Sequence, residues 1–196
     1  AFLKMPVSVR ALKVDFLSVS GHKVHAPKGT GALYMKKGCN IQPITFGGGH
    51  EKGYVPGTEN AAGAAAFAAA VEEGLRELNG FRTRAAEYKL LLKSLLKDIS
   101  VKAIDFEGMD CILTVSAIGW KSETVIHALA ERDVYVSSGS ACSKGTPSRV
   151  LTACGLNREE VDGALRVSMS RLTTAEDIEI FARELDACLE RLVKKR

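Results

Sequence analysis

The chain has 196 residues, 46% of them hydrophobic and 26% charged, a balance typical of a globular protein with a hydrophobic core. Its 27 basic and 23 acidic residues give a net charge of only +4, which does not indicate a nucleic-acid partner, and no apolar run is long enough to span a bilayer. The five cysteines are odd in number and lack CxxC spacing, which argues against a zinc site or disulfide framework and favours a reducing cytoplasm.

The first part of the chain alternates short apolar runs with glycine-rich turns. Strands are predicted over residues 12–18 and 31–36, the first of them buried. An alanine-rich helix over residues 61–78 is expected to have Thr58 as its N-cap and to end at Asn79-Gly80. A second amphipathic helix is predicted over residues 81–99.

After residue 101 the pattern alternates between strands and helices. Ser122 is expected to start one helix, and Thr174 with Asp177 has the spacing of a capping box. The change of pattern predicts two domains, residues 1–79 and 80–196. The predicted strands are residues 112–118, 134–136 and 165–169, and the predicted helices are residues 122–131, 148–154, 158–161 and 174–193.

Lys23 follows the first predicted strand, where the chain passes into small, polar and cationic residues. A lysine held at a partly buried strand end can lose its charge by desolvation and become nucleophilic toward a carbonyl. Ser20 and His22 lie beside it and offer polar contacts. The alternative is a solvated loop lysine, which position alone favours.

Cys142 lies in a loop of small residues, next to Lys144. Such a cysteine is expected to be accessible, and a nearby ammonium favours the reactive thiolate. The alternative is an inert loop cysteine.

Arg166 interrupts an apolar strand, where a guanidinium is costly unless it meets an anion. Its planar fork suits bidentate binding of a carboxylate. The alternative is an edge-strand arginine that points to solvent.

Gly47–His50 and the Gly57-Thr58 pair at a predicted helix start suit anion binding through backbone N–H groups and a hydroxyl. A glycine run alone more often marks a turn, and His50 is ambiguous. Taken together with Lys23, Cys142 and Arg166, these groups suit a pyridoxal phosphate enzyme that acts on an amino acid with participation of a thiol.

Five stretches resemble the NifS/IscS-like cysteine desulfurases, which are class-V aminotransferases. They are SVSGHKVHAPKGTGALY (residues 18–34), GGGHE (47–51), GTEN (57–60), SSGSAC (137–142) and RVS (166–168). They occur in the order of the family, and SGHK combined with SSGSAC is specific to it. The resemblance implies an α/β fold, namely the carboxyl-terminal part of a fold-type I transferase. Residues 1–79 would be the tail of the large cofactor-binding domain, and residues 80–196 a small α+β domain with the cysteine loop.

The resemblance also implies a role for each matching residue. Lys23 would form the Schiff base with pyridoxal 5'-phosphate, Ser20 and His22 would contact its phosphate, and Thr58 would reach the phosphate in the partner subunit of a homodimer. Arg166 would bind the substrate carboxylate. Cys142 would take the sulfur of L-cysteine as a persulfide, leave L-alanine, and pass the sulfur to acceptor proteins such as an iron–sulfur scaffold. No metal, membrane or direct nucleic-acid partner is expected, beyond an indirect link through tRNA thiolation, and the expected location is the cytoplasm.

Two departures from the family pattern qualify this expectation. The family's aspartate, glutamine and stacking histidine, which contact the cofactor ring upstream of the lysine, have no counterpart here, and Val55 replaces a usual arginine. The chain is therefore expected to be half of an enzyme and inactive alone. Two alternatives remain, a selenocysteine lyase-like enzyme and a fragment that serves only as a dimerising or partner-docking module.

Overall fold

The computed structural model describes residues 1–138 and 148–194. The chain divides into two compact units, Ala1–Asn79 and Gly80–Arg196. Each unit combines helices with an antiparallel sheet.

The first unit contains a short helix and a two-stranded sheet. Helix α1 (Val9–Leu12) precedes strand β1 (Phe16–Ser20), which pairs antiparallel with strand β2 (Gly31–Met35). In this register Ser20 lies opposite Gly31. A Cβ atom at Gly31 would approach the carbonyl oxygen of Val19 to 2.6 Å, so this pair needs a glycine.

The expectation of a buried first strand is wrong. Phe16 is 43% exposed in β1 and Leu33 is 55% exposed in β2. No residue of β1 or β2 is fully buried, and only Leu17, Val19, Ser20 and Met35 are half-buried.

A single helix, α2, runs from Ala61 to Leu95 and replaces the two predicted helices. Gly80 lies within it and does not end it, because glycine ends a helix by adopting a positive φ angle and the φ angle of Gly80 is not positive. The expected cap at Thr58 is also wrong. The side-chain oxygen of Asn60 accepts a hydrogen bond from the Gly63 N–H at 2.9 Å and caps the helix two residues later.

The second unit is built on a three-stranded antiparallel sheet in the order β3-β4-β5. These strands are β3 (Lys102–Ile104), β4 (Ile112–Ser116) and β5 (Ala164–Ser168). Thr114 pairs with both Ile104 and Arg166 and so lies across the middle of the sheet. The sequence pattern missed β3, and the strand predicted over residues 134–136 is reduced to one bridge between Ser137 and Arg166.

Four helices complete the second unit: α3 (Ser122–Ala130), α4 (Arg149–Ala153), α5 (Arg158–Asp162) and α6 (Ala175–Arg191). The capping box of Thr174 and Asp177 is confirmed at the start of α6. Helix α3 begins at Ser122, as expected, and Lys121 is its N-cap residue. Among the described residues, no helix combines the length and apolar character needed to cross a membrane.

One face of the sheet, together with helix side chains, forms the core of the second unit. Residues alternate sides along a strand, so Leu165 and Val167 of β5 point into this core while Arg166 points to the other face. The most deeply buried core side chains, each at most 1% exposed, are Leu92, Leu113, Val115, Ala117, Val125, Leu129, Leu165 and Leu185.

Candidate active site

Lys23 lies on a one-turn 3-10 helix, Gly21–Val24, which begins where β1 ends. A 3-10 helix has about three residues per turn, so its first and fourth residues share a face. Accordingly Gly21 and Val24 are buried, while His22 and Lys23 between them are exposed. The turn therefore presents an amine and an imidazole outward, with Ser20 just before them.

The base of this turn is fixed by close packing. The Gly21 N–H donates to the Thr30 carbonyl at 2.8 Å, and a Cβ atom at Gly21 would approach Thr30 Oγ1 to 2.3 Å. The Thr30 hydroxyl is held in turn by the Pro27 carbonyl at 2.7 Å. A side chain at Gly21 would push the lysine turn away from β2.

Of the two readings left open for Lys23, its environment in this chain fits the solvated one. Its side chain is exposed, and within the described part of the chain no hydrogen bond or ion pair engages it.

Thr58 lies at the end of a glycine-rich loop in the same unit and is exposed. The loop folds back on itself, because the Gly57 N–H donates to Nδ1 of His50 at 3.2 Å. Gly47 also lies against Pro56, where an added Cβ would come within 2.8 Å of the proline Cβ. Sequence reasoning left His50 ambiguous, and only the fold shows that it closes this loop.

Arg166 belongs to the other compact unit, in the middle of β5. Its side chain is half-buried on the face of the sheet that carries Thr114. Its Nε atom is buried and has no hydrogen-bond partner among the residues described. A buried guanidinium nitrogen without an acceptor is costly, so this position is suited to an anion.

Ser137 anchors the segment that leads to Cys142, five positions further on. It forms an isolated bridge with Arg166, in which the Arg166 N–H donates to the Ser137 carbonyl at 2.6 Å and the Ser137 N–H donates back at 3.4 Å. Cys142 and Lys144 themselves lie outside the described residues. The described cysteines, Cys39, Cys111, Cys154 and Cys188, are unbridged.

Tyr135 lies two residues before the bridge. Tyr135 is 76% exposed, and its hydroxyl donates to Oδ1 of Asp133 at 3.1 Å. This hydrogen bond raises the pKa of Tyr135, so the phenol stays protonated. No cluster of three or more metal-ligand side chains occurs in the part of the chain that the structure describes.

The structure thus groups three predicted site residues: Ser20 at the end of β1, and His22 and Lys23 in the turn that follows it. Thr58 lies in the same unit on the loop closed by His50, and Arg166 lies in the second unit.

The class of protein follows from comparison with known families. The family model for class-V aminotransferases matches residues 1–181, so the chain belongs to the class-V aminotransferase family. The resemblance inferred from the five motifs is confirmed.

Within this family, the chain is similar to named cysteine desulfurases. The chain is 34% identical over 194 residues to cysteine desulfurase 2 of Trichormus variabilis, covering 96% of the chain and 49% of that relative. It is 35% identical over 180 residues to the cysteine desulfurase IscS of Methanosarcina thermophila, covering 89% and 45%. The chain therefore spans about half the length of the curated relatives it matches.

Solved structures agree on the fold. A NifS-like protein superposes with a TM-score of 0.89 at 31% identity, over 98% of this chain and 51% of the other. A NifS-like protein from Rickettsia africae gives a TM-score of 0.86 at 26% identity, over 96% and 51%. The expected fold class is confirmed, since this chain has the fold of about half a NifS-like protein.

Proposed function

We propose that the protein containing this chain is a pyridoxal phosphate-dependent cysteine desulfurase, which converts L-cysteine to L-alanine and retains the sulfur on Cys142. The observation that carries the proposal is the match over 96% of the chain to a named cysteine desulfurase, with Lys23 and Arg166 at structurally defined positions. The persulfide sulfur would serve iron–sulfur cluster assembly or the synthesis of another sulfur-containing cofactor.

The residues present fit part of the cofactor. Lys23 offers an outward-facing amine without a partner among the described residues, which suits the cofactor aldehyde, and Ser20 and His22 lie beside it and suit the phosphate. When bound, the cofactor acts as an electron sink that makes the Cα–H bond of an attached amino acid acidic. Lys23 Nζ would accept and return that proton.

Arg166 would bind the substrate carboxylate. Its buried, unpartnered Nε atom provides a donor in a place where an anion is needed to offset the cost of burial. A guanidinium fork binds both oxygens of a carboxylate at once, and this would orient the thiol of the substrate.

Cys142 would supply the nucleophile as its thiolate. Its Sγ atom would form a bond to the sulfur of L-cysteine while the substrate Cβ–S bond breaks. The electron pair stays with the carbon and is protonated, so that one thiol and one L-cysteine yield one persulfide and one L-alanine. No external oxidant or reductant is required.

The remaining expectations also belong to this proposal. The protein would act as a homodimer in which Thr58 reaches the phosphate of the partner subunit, and would pass sulfur to acceptor proteins such as an iron–sulfur scaffold. The unbridged cysteines of the described residues support a reducing compartment, which favours the cytoplasm.

Substitution of Cys142 tests the reaction. In the intact protein, Cys142→Ala should abolish persulfide formation from L-cysteine and leave the cofactor absorbance unchanged, because only the sulfur acceptor is removed. Cys154→Ala is the control, since Cys154 is a free, exposed thiol outside the cysteine loop, and it should retain wild-type persulfide yield. Persulfide is quantified by mass spectrometry after one turnover.

Two results would contradict the assignment. Wild-type persulfide yield in the Cys142→Ala protein would exclude its role as sulfur acceptor. Selenide release from L-selenocysteine in the absence of any sulfide release from L-cysteine would favour a selenocysteine lyase-like enzyme instead.

A further inference from the structure

His50 is the half-buried member of an otherwise exposed glycine stretch. Its Nδ1 accepts a hydrogen bond from the Gly57 N–H at 3.2 Å, seven residues along the chain. Its ring also lies directly on Gly48, where an added Cβ would come within 2.8 Å of the His50 Cε1 atom. The imidazole thus joins the two ends of the loop that leads to Thr58.

The backbone between these two ends adopts a conformation that needs support. Glu51 and Lys52 have φ angles of 47° and 58°, which are unfavourable for residues other than glycine, and Gly53 follows at 85°. The Gly53 N–H donates to the carbonyl of His50 at 2.8 Å and closes this tight turn. Strained backbone of this kind persists only where surrounding contacts fix it, and the His50 side chain supplies one of them.

Thr58 depends on this loop for its position. Its side chain is exposed, and no hydrogen bond of its own holds it among the described residues. The residue before it, Gly57, has a φ angle of 115°, and its N–H group is held by His50. The Gly57 nitrogen is therefore the atom nearest to Thr58 that the hydrogen bond to the imidazole holds in place.

We propose that His50 is a positioning residue, whose neutral ring carries its proton on Nε2, accepts the Gly57 N–H at Nδ1, and thereby places the Thr58 hydroxyl for the cofactor phosphate. The tautomer follows from the hydrogen bond, because an imidazole nitrogen that accepts cannot also carry a proton. This role rests on the proposed function for its last step, the contact between Thr58 and phosphate.

The hydrogen bond itself is tested without cofactor. Nitrogen NMR of labelled histidine in the intact protein should show His50 as the Nε2-protonated tautomer, and the Gly57 amide should exchange slowly with solvent. His50→Leu should accelerate Gly57 exchange about tenfold, as expected for loss of one hydrogen bond. His50→Asn should retain slow exchange, because the asparagine Oδ1 takes the place of Nδ1.

Cofactor affinity tests the positioning step. Titration of the intact apoprotein with pyridoxal 5'-phosphate, followed by fluorescence, should give a Kd about tenfold higher for His50→Leu and within about threefold of wild type for His50→Asn. His127→Leu, at an exposed histidine on α3 outside the loop, should bind as wild type does.

The outcomes separate this inference from the proposed function. Unchanged Gly57 exchange in His50→Leu, or His50→Asn binding as weakly as His50→Leu, would overturn the role of His50. A wild-type protein that binds no pyridoxal 5'-phosphate would contradict the proposed function and the phosphate step, while the exchange and tautomer measurements would still decide the His50 contact.

Discussion

At the scale of single residues, Arg166 shows how a β-strand can hold a guanidinium in a partly buried position. Leu165 and Val167 on either side are 0% and 6% exposed and fix the strand against the core. The guanidinium projects to the opposite face, where its Nε atom is buried without an acceptor. Burial of this atom without an acceptor lowers the stability of the fold, and a bound carboxylate would offset this loss.

Replacing the guanidinium at this position with an ammonium should weaken substrate binding. In the intact protein, Arg166→Lys should raise KM for L-cysteine roughly 10- to 100-fold, because a lysine keeps the charge but loses the bidentate fork. Steady-state alanine production measures this effect. Arg149→Lys, at an exposed arginine on α4, is the control and should leave KM unchanged. Equal KM values for Arg166→Lys and wild type would exclude carboxylate binding by Arg166.

At the scale of elements, helix α2 is longer than its sequence suggests. Asn79-Gly80 is a common helix-ending pair, yet the helix continues through it to Leu95. An interior glycine weakens a helix by about 1 kcal/mol relative to alanine but does not stop it unless the backbone turns left-handed. The φ angle of Gly80 is not positive, so this pair does not end α2.

Two glycines of α2 form a matched pair for testing how an interior glycine affects the stability of this helix. At Gly80 an added Cβ meets only the Arg84 guanidinium at 3.4 Å, whereas at Gly74 it would meet Leu3 Cδ1 at 2.6 Å. Gly80→Ala should therefore raise the free energy of unfolding by about 0.5–1 kcal/mol through better helix propensity. Gly74→Ala should gain less or lose stability, because Leu3 is buried and must move.

Urea unfolding followed by circular dichroism measures both variants. The expected order of midpoints is Gly80→Ala above wild type, with Gly74→Ala lower than Gly80→Ala. A destabilised Gly80→Ala protein would show that Gly80 does not adopt ordinary helical geometry.

At the scale of the whole molecule, the second unit is braced by carboxylates paired with cations. Burial raises the pKa of Asp105, but hydrogen bonds from Lys89 and Lys93 outweigh it and hold that pKa below its ordinary value. Glu184 has its pKa lowered by Arg132 and then by Arg183. The pairs of Asp105 with Lys89 and Lys93, and of Glu184 with Arg132, connect separate elements, whereas Arg183 is the neighbour of Glu184 in sequence.

Glu160 is held through both its carboxylate and its backbone carbonyl. Lys102 Nζ lies 2.5 Å from its Oε1 and lowers its pKa most, followed by the Asn157 N–H, which donates to Oε2 at 2.9 Å. The Glu160 carbonyl also accepts a hydrogen bond from the buried Ser116 hydroxyl at 2.8 Å. The residue therefore fixes α5 to both β3 and β4.

The stability of the second unit should fall as the solution becomes acidic. A carboxylate whose folded pKa is lowered stabilises the fold fully above its unfolded pKa, here the ordinary glutamate value of 4.5. This contribution is lost as pH falls through the folded value. Urea midpoints should therefore be lower below pH 4.5 than at pH 7. Glu160→Gln should lower the midpoint at pH 7 and make its dependence on pH weaker.

Glu123→Gln is the control for this experiment, because Glu123 is exposed at the start of α3 and takes part in no ion pair among the described residues. It should reproduce the wild-type pH profile. A Glu160→Gln protein with the wild-type profile would show that its pairing with Lys102 does not contribute to stability.

The local chemistry of the chain was readable from its sequence. The capping box at Thr174 depends on residues three positions apart, and the motifs around Lys23 and Arg166 are contiguous. Apolar periodicity likewise placed β4, β5 and α6 to within a few residues, because one buried face imposes a regular spacing on its own element. Family membership followed from the same contiguous motifs.

Only the tertiary structure decided the features that depend on distant partners. The burial of the Arg166 Nε atom needs its strand neighbours, and His50 becomes a loop contact only when Gly57 returns to it. The exposure of β1 is of the same kind, since an apolar strand is buried only where another layer covers it. Sequence specifies what each residue can do, while the partners that hold it in place are set by the fold.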